Sequence, residues 1–261
     1  MSDAAAVIAS LRSGHDTLAG LVSGLSDEDL ARPTGAAEWD VSQVLSHLGS
    51  GAEINQATLR AALDGKPNPG MDFARSVWAR WDAAGRRERA EEFLRENAAL
   101  VALYESLVSR EDLRIDMGFL PAPVDVATAG RFRLNEFALH SWDVRVGFDP
   151  GATLAADATA LITPVANQLA GMAGKPKMRS GGPAAITVTT TEPDSAFTLR
   201  LGETISVGDD VPAQTDGTLS LPAEAWVRLV TGRLGPAYTP AGVTATGAAD
   251  LGVLRAVFPG F

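Results

Sequence analysis

Histidine is scarce in this sequence, three in 261 residues, and the positions of two of them suggest chemistry. In "RFRLNEFALHSWDVRVG" (131–147), a helical reading puts Arg133, Glu136, His140 and Asp143 on one continuous stripe. Side chains three and four residues apart on a helix stand one above the other. Phe132, Leu139 and Trp142 flank the stripe on one side, and Phe137 and Val144 on the other. His47 lies in "EWDVSQVLSHLGSG" with Val44, Gly51 and Ile54 as same-face neighbours, a small, apolar face that points toward an interior. His47, Glu136 and His140 together make the two-histidine, one-carboxylate set of catalytic zinc and non-haem iron sites. Three protein ligands leave a coordination position open, and helical bundles hold metals with inward side chains from facing helices. Asp143 would then orient a ligand and Arg133 would balance the carboxylate charge. Plainer readings compete: the stripe could be a solvated face laced by ion pairs, and His47 a buried histidine bonded to a neighbour. A fully exposed stripe, however, would leave one bulky flank uncovered. His15 has no recognisable carboxylate partner and reads as structural.

The elements that must position these residues are helical for two thirds of the chain. Val7, Leu11, Leu18, Leu21 and Val22 give a helix over 3–24, and Ser26 is an N-cap for "SDEDL". Asp40 followed by Gln43 resembles a capping box, opening a helix that runs to about Leu63. The glycines at 49 and 51 inside it each cost about 1 kcal/mol relative to alanine, which suggests close approach by a helix or a ligand. Residues 73–109 predict one long or two broken helices interrupted at Gly85, with Phe93, Leu100, Tyr104 and Leu107 inward. The helix of the stripe spans roughly 125–146, and a further one over 153–172 should kink or split at Pro164. "GKPKMRSGG" (174–182) then reads as a domain boundary. Beyond it, "AAITVTT", "AFTLRLG", "TISVG" and "GVTATG" predict strands, while "LPAEAWVRLVTGRL" and "DLGVLRAVF" predict helices. The expected fold class is a mainly α bundle over 1–175 and a small α+β domain over 183–261.

Composition narrows the function. A net charge of −10 without a basic run argues against nucleic acid as a partner. No window holds eighteen consecutive apolar residues and no signal-peptide pattern opens the chain, so the expectation is a cytoplasmic protein without a membrane partner. With no cysteine, any thiol chemistry must use a thiol brought from outside. No G-x-S-x-G elbow, P-loop or dinucleotide fingerprint occurs. Met172 and Met178 read as packing residues, and Asp27–Asp29 and Glu91–Glu92 as solvated helix faces.

"EWDVSQVLSHL", followed about ninety residues later by "NEFALHSWDV", resembles the DinB-like four-helix bundle family of metal enzymes. More narrowly it resembles the mycothiol-dependent maleylpyruvate isomerases. "AEAWVRLVTGR" and the terminal "FPGF" match that family's sterol-carrier-like C-terminal domain. The resemblance implies His47, Glu136 and His140 as ligands of a divalent metal such as Zn²⁺, with mycothiol as the thiol cofactor and a small molecule as substrate. It also implies a C-terminal arginine that reaches the substrate or thiol. Arg233 in "TGRL" is the best match, and Arg228 is the alternative, with an exposed helix position as its plainer reading. Where relatives carry Gly-Asp after the last strand, this chain reads "TGAAD" (246–250), a departure that touches the thiol or its orientation. A coordinated thiol is deprotonated at neutral pH. Its addition to a conjugated alkene, rotation and loss would give cis–trans isomerisation, and keeping the adduct would give S-transfer. The competing expectations are a hydrolase using metal-bound water and a non-catalytic lipid or small-molecule binder with a structural metal.

Overall fold

Three of the helix starts before residue 130 are set by short polar side chains. The computed structural model describes residues 3–178 and 182–260. It has α1 (Asp3–Val22), α2 (Asp27–Leu30), α3 (Val41–Leu63), α4 (Gly70–Ala83), α5 (Arg86–Ser106) and α6 (Val126–Val146) in one compact unit, residues 1–152. Ser26 caps α2 and Asp40 caps α3, both with reciprocal capping boxes, closed by Asp29 and Gln43 respectively. Asp125 accepts from the Thr128 backbone N–H at the start of α6. Gly85 precedes α5, so the predicted interruption is a true break between α4 and α5.

The four long helices α1, α3, α5 and α6 pack in a ring, α3 on α5, α5 on α1, α1 on α6 and α6 on α3, with α4 laid on α3. Val7, Leu11, Leu18, Leu45, Leu48, Phe93, Leu100, Tyr104, Phe137 and Trp142 fill the interior. All four residues expected inward on α5 and its C-cap are buried. The two helix-interior glycines of α3 mark close approaches by protein groups. A Cβ on Gly49 would overlap the Trp81 ring, and one on Gly51 would sit 3.2 Å from the Arg133 guanidinium.

The second compact unit, residues 153–261, holds α7 (Ala156–Ala173), β1 (Ala184–Thr191), β2 (Ser195–Leu201), β3 (Ile205–Gly208), β4 (Gly217–Pro222), α8 (Ala223–Val230), β5 (Thr244–Gly247) and α9 (Leu251–Val257). The sheet order is β3-β2-β1-β4-β5, antiparallel except for the central β1–β4 pair. Ile186, Val188, Leu199, Leu219 and Leu221 are buried at alternating positions, and Trp226 donates from Nε1 to Asn167 on α7 at 2.8 Å. By compactness the chain divides after Ala152, before the glycine-rich link at 174–182, because α7 packs on α8 and β3. Arg179, Ser180 and Gly181 of that link, and Phe261 of "FPGF", lie outside the described residues.

Pro164 leaves α7 unsplit, which excludes one of the two outcomes expected there, and the Thr159 and Thr163 hydroxyls back-bond to the carbonyls four residues earlier. Two expectations are corrected. Met172 and Met178 stand out from the surface instead of packing. The strand β4 lies outside the four strands the sequence predicts, because Leu221-Pro222 has the pattern of a helix start. Pro222 instead closes the strand opposite Thr191, and α8 begins one residue later.

Candidate metal centre

His47 sits on the second turn of α3, and Glu136 and His140 stand one turn apart on α6. The structure brings all three together: one donor atom from each lies within 4.8 Å of the other two. His47 Nε2 is 3.4 Å from Glu136 Oε2, and His140 Nε2 is 3.8 Å from the same oxygen. The two imidazoles meet edge to face, 4.5 Å between centroids. Around a tetrahedral zinc with bonds of about 2.0–2.1 Å, neighbouring donors are separated by roughly 3.3–3.4 Å. The two separations from Glu136 are close to that, and the two imidazoles lie within 4.8 Å of each other, so this set fits a divalent metal once the side chains draw in around it. Exposure is graded, with the side chains of His140 13%, His47 40% and Glu136 51% open. One side of the triad is thus accessible and the other is built into the bundle.

The stripe is not a solvated face. Asp143 is fully buried, and its Oδ2 lies 2.9 Å from His140 Nδ1. A carboxylate there favours the tautomer with the proton on Nδ1, leaving the Nε2 lone pair turned toward Glu136 and His47. Arg133, at the other end of the stripe, is also buried. Its Nη2 donates to Leu48 O at 3.0 Å and to Asn97 Oδ1 at 2.7 Å. Asn97 in turn meets His15 Nδ1 at 2.9 Å, the structural role expected of that histidine. Burial lowers the Arg133 pKa to about 10, opposed by Tyr104 and Glu136. Burial followed by Arg12 pushes His15 below the usual imidazole range. At Glu136 burial opposes ionisation, yet the His47 hydrogen bond and the positive surroundings of His140, His47 and Arg133 outweigh it and hold the carboxyl below its ordinary value.

Trp39 is a neighbour that the sequence reading missed. Its ring centroid is 5.2 Å from that of His47 and 5.9 Å from that of His140. It is brought there by the loop 33–40, closed at its base by the Pro33–Asp40 bridge. Within the loop, Trp39 N–H donates to Ala36 O and Thr34 Oγ1 donates to Trp39 O. Gly35 N–H donates to Asp143 O at 2.9 Å, and a Cβ on Gly35 would stand 2.7 Å from the Trp142 ring. Only glycine lets this loop lie against α6. The available signal was a tryptophan directly before the N-cap of the helix that carries His47.

The arginines expected from the C-terminal domain differ from each other. Arg228 is buried, not exposed: Nε and Nη2 donate to Glu224 at 2.7 and 2.6 Å, and Nη1 to Tyr238 O at 2.8 Å. Arg233 is half-buried, with Nη1 donating to Thr231 O at 3.2 Å. In the divergent "TGAAD" turn, Asp250 caps α9 by accepting from Val253 N–H at 2.9 Å.

Residues 11–145 match the family model of the mycothiol maleylpyruvate isomerase N-terminal domain. Among solved structures, the chain is similar to the mycothiol-dependent maleylpyruvate isomerase, at 15% identity and a TM-score of 0.61, covering 92% of this chain and 91% of that one. A histidine-to-alanine mutant of that enzyme matches at 14% identity with the same score and coverage. At these identities the likeness speaks for the fold. No curated protein sequence matches the chain.

Proposed function

Since the chain belongs to the mycothiol maleylpyruvate isomerase N-terminal domain family, we propose that it is a thiol-dependent enzyme of the isomerase type with a divalent metal, Zn²⁺ by its ligand chemistry, held by His47, Glu136 and His140. The observation that carries this reading is the convergence of the three donors within 4.8 Å, with Asp143 behind His140. When bound, the metal would hold an external thiol as thiolate at neutral pH, the nucleophile needed for cis–trans isomerisation of a small conjugated acid or for S-transfer to another electrophile. The chain itself supplies no cysteine, so the thiol is a cofactor, mycothiol or a close analogue. A reaction that depends on a free thiol suits a reducing compartment, which supports a cytoplasmic location. Among the described residues no helix is long and apolar enough to cross a membrane.

In this reading each residue of the chain has a distinct task. His47 and His140 present neutral Nε2 lone pairs, and Glu136 supplies the single negative ligand charge. Asp143 fixes the His140 ring and its tautomer. Trp39 covers both imidazoles on one side and limits water there. Arg233 remains the candidate for pairing an anionic group of the substrate or thiol. Arg228 is the weaker choice, because Glu224 and the Tyr238 carbonyl already occupy its guanidinium.

The test is metal content by elemental analysis and turnover of maleylpyruvate with mycothiol, for wild type and His140→Ala. The expected result is about one equivalent of divalent metal and thiol-dependent turnover in the wild type, both lost in the variant. No metal after reconstitution with Zn²⁺ would overturn the metal centre. Turnover of a substrate with metal but without thiol would replace the thiol enzyme with a hydrolase.

A further inference from the structure

The two histidines of the donor set stand on different helices, His47 on α3 and His140 on α6, and Trp39 is in ring contact with both. Its indole lies at 28° to the His140 imidazole, 5.9 Å between centroids, and at 43° to that of His47, 5.2 Å away. The imidazoles meet each other at 4.5 Å, so the three rings form one cluster. Burial is an incomplete account of this placement. Trp39 keeps 37% of its surface open, whereas Trp81, Trp142 and Trp226 are buried.

The loop that carries Trp39 is anchored on the second of these helices. Val41 N–H donates to Arg32 O at 3.0 Å across its base, and the Arg32 guanidinium lies over the Phe148 ring just beyond α6, 4.6 Å from its centroid. Gly35 N–H donates to Asp143 O at 2.9 Å. Asp143 therefore holds the loop through its backbone and His140 through its side chain. Charge gives the cluster a further use. Imidazoles bound to a divalent ion share its positive charge, and the face of an indole attracts a cation within about 6 Å of its centroid, more strongly than the rings of Tyr or Phe do. Both imidazoles lie within that distance. The contact is thus stronger with the ion bound than without it, and such a difference adds to affinity.

We propose that Trp39 is a positioning residue of the metal centre, holding the His47 and His140 rings together and strengthening metal binding through the π face of its indole. The inference rests on the metal reading. It goes beyond it by assigning part of the metal affinity to a residue that is not a ligand and that lies outside both ligand-bearing helices.

The experiment measures Zn²⁺ affinity of the full chain by competition with a chromophoric chelator, for wild type, Trp39→Phe and Trp39→Leu, alongside the unfolding midpoint of each metal-free protein. Leucine keeps an apolar cover without a π face, and phenylalanine keeps a weaker π face. Affinity should fall by about tenfold in Trp39→Leu, about 1.4 kcal/mol, and by less than about threefold in Trp39→Phe. The Co²⁺-loaded variants should keep the absorption bands of the wild type, because the donors are the same. A merely structural role would show in the metal-free midpoints and would not separate leucine from phenylalanine in affinity. A loss of less than about threefold in Trp39→Leu, or as large a loss in Trp39→Phe, would overturn the positioning role and leave the metal reading standing. Absence of Zn²⁺ binding in the wild type would overturn the two together.

Discussion

Replacing Asp143 by asparagine tests whether the buried end of the stripe serves the metal centre or only the fold. Asp143 is fully buried, and its Oδ2 is 2.9 Å from His140 Nδ1, on the far side of the ring from Glu136. Asparagine keeps the volume but removes the charge, and it can present either its oxygen or its NH₂ to the ring. With the NH₂ turned inward, the proton moves to Nε2 and the lone pair no longer faces Glu136 and His47. Loss of such a partner behind a ligating histidine typically lowers metal affinity by about 10–100-fold, or roughly 1.4–2.8 kcal/mol. The assay is competition for Zn²⁺ against a chromophoric chelator at fixed pH, with the unfolding midpoint of the metal-free protein as the control for a merely structural effect. Zinc affinity in Asp143→Asn within about twofold of wild type would refute the argument, because the carboxylate would then not be orienting His140.

Two further outcomes follow from the bundle. Gly49→Ala should destabilise the first unit by about 1–3 kcal/mol in urea denaturation, since the new methyl overlaps the Trp81 ring. That ring is held in place by donation from Nε1 to Glu53 Oε2 at 3.0 Å, so unchanged stability would mean it yields freely. Asp40 should make folding sensitive to acid. Burial opposes its charge, but bonds from Ser42, Gln43 and Arg86 outweigh that and depress its pKa. Its contribution is therefore complete above the unfolded value of about 3.9 and is lost as pH falls through the lower folded value. Asp40→Asn should retain a cap while flattening the acid limb of stability against pH from about pH 4 downward, and an unchanged limb would contradict it.

The sequence carried much of the site because the decisive signals are local. Capping boxes at Ser26 and Asp40, the break at Gly85 and the i, i+4 pair of Glu136 and His140 each depend on spacings within one or two turns. What was not legible depends on contacts between distant segments. Trp39 becomes part of the site only through a loop that lies against Asp143, more than a hundred residues on. The glycines at 49 and 51 announced a close approach, but not that the visitors would be Trp81 and Arg133. β4 was missed because it is six residues long and ends in a proline that equally well starts a helix.

The direction in which the stripe faces is the hardest of these inferences to draw from sequence, and its reason is physical. A helix with polar residues every three or four positions and bulky apolar residues on both flanks has no single apolar stripe for periodicity to detect. Inward and outward readings of α6 then look alike. Polar satisfaction separates them. Arg133 can be buried because Leu48 O and Asn97 accept its protons and because Gly51 leaves room for its guanidinium. Asp143 can be buried because His140 lies beside it. Between these two buried charges, Glu136 and His140 are left at the partly open edge of the bundle, within reach of His47. The buried ends of the stripe fix the rotation of α6, and that rotation makes the middle of the stripe available to a ligand. Gly51→Ala, by pressing on Arg133, would therefore disturb the donor set from a position that touches none of its atoms.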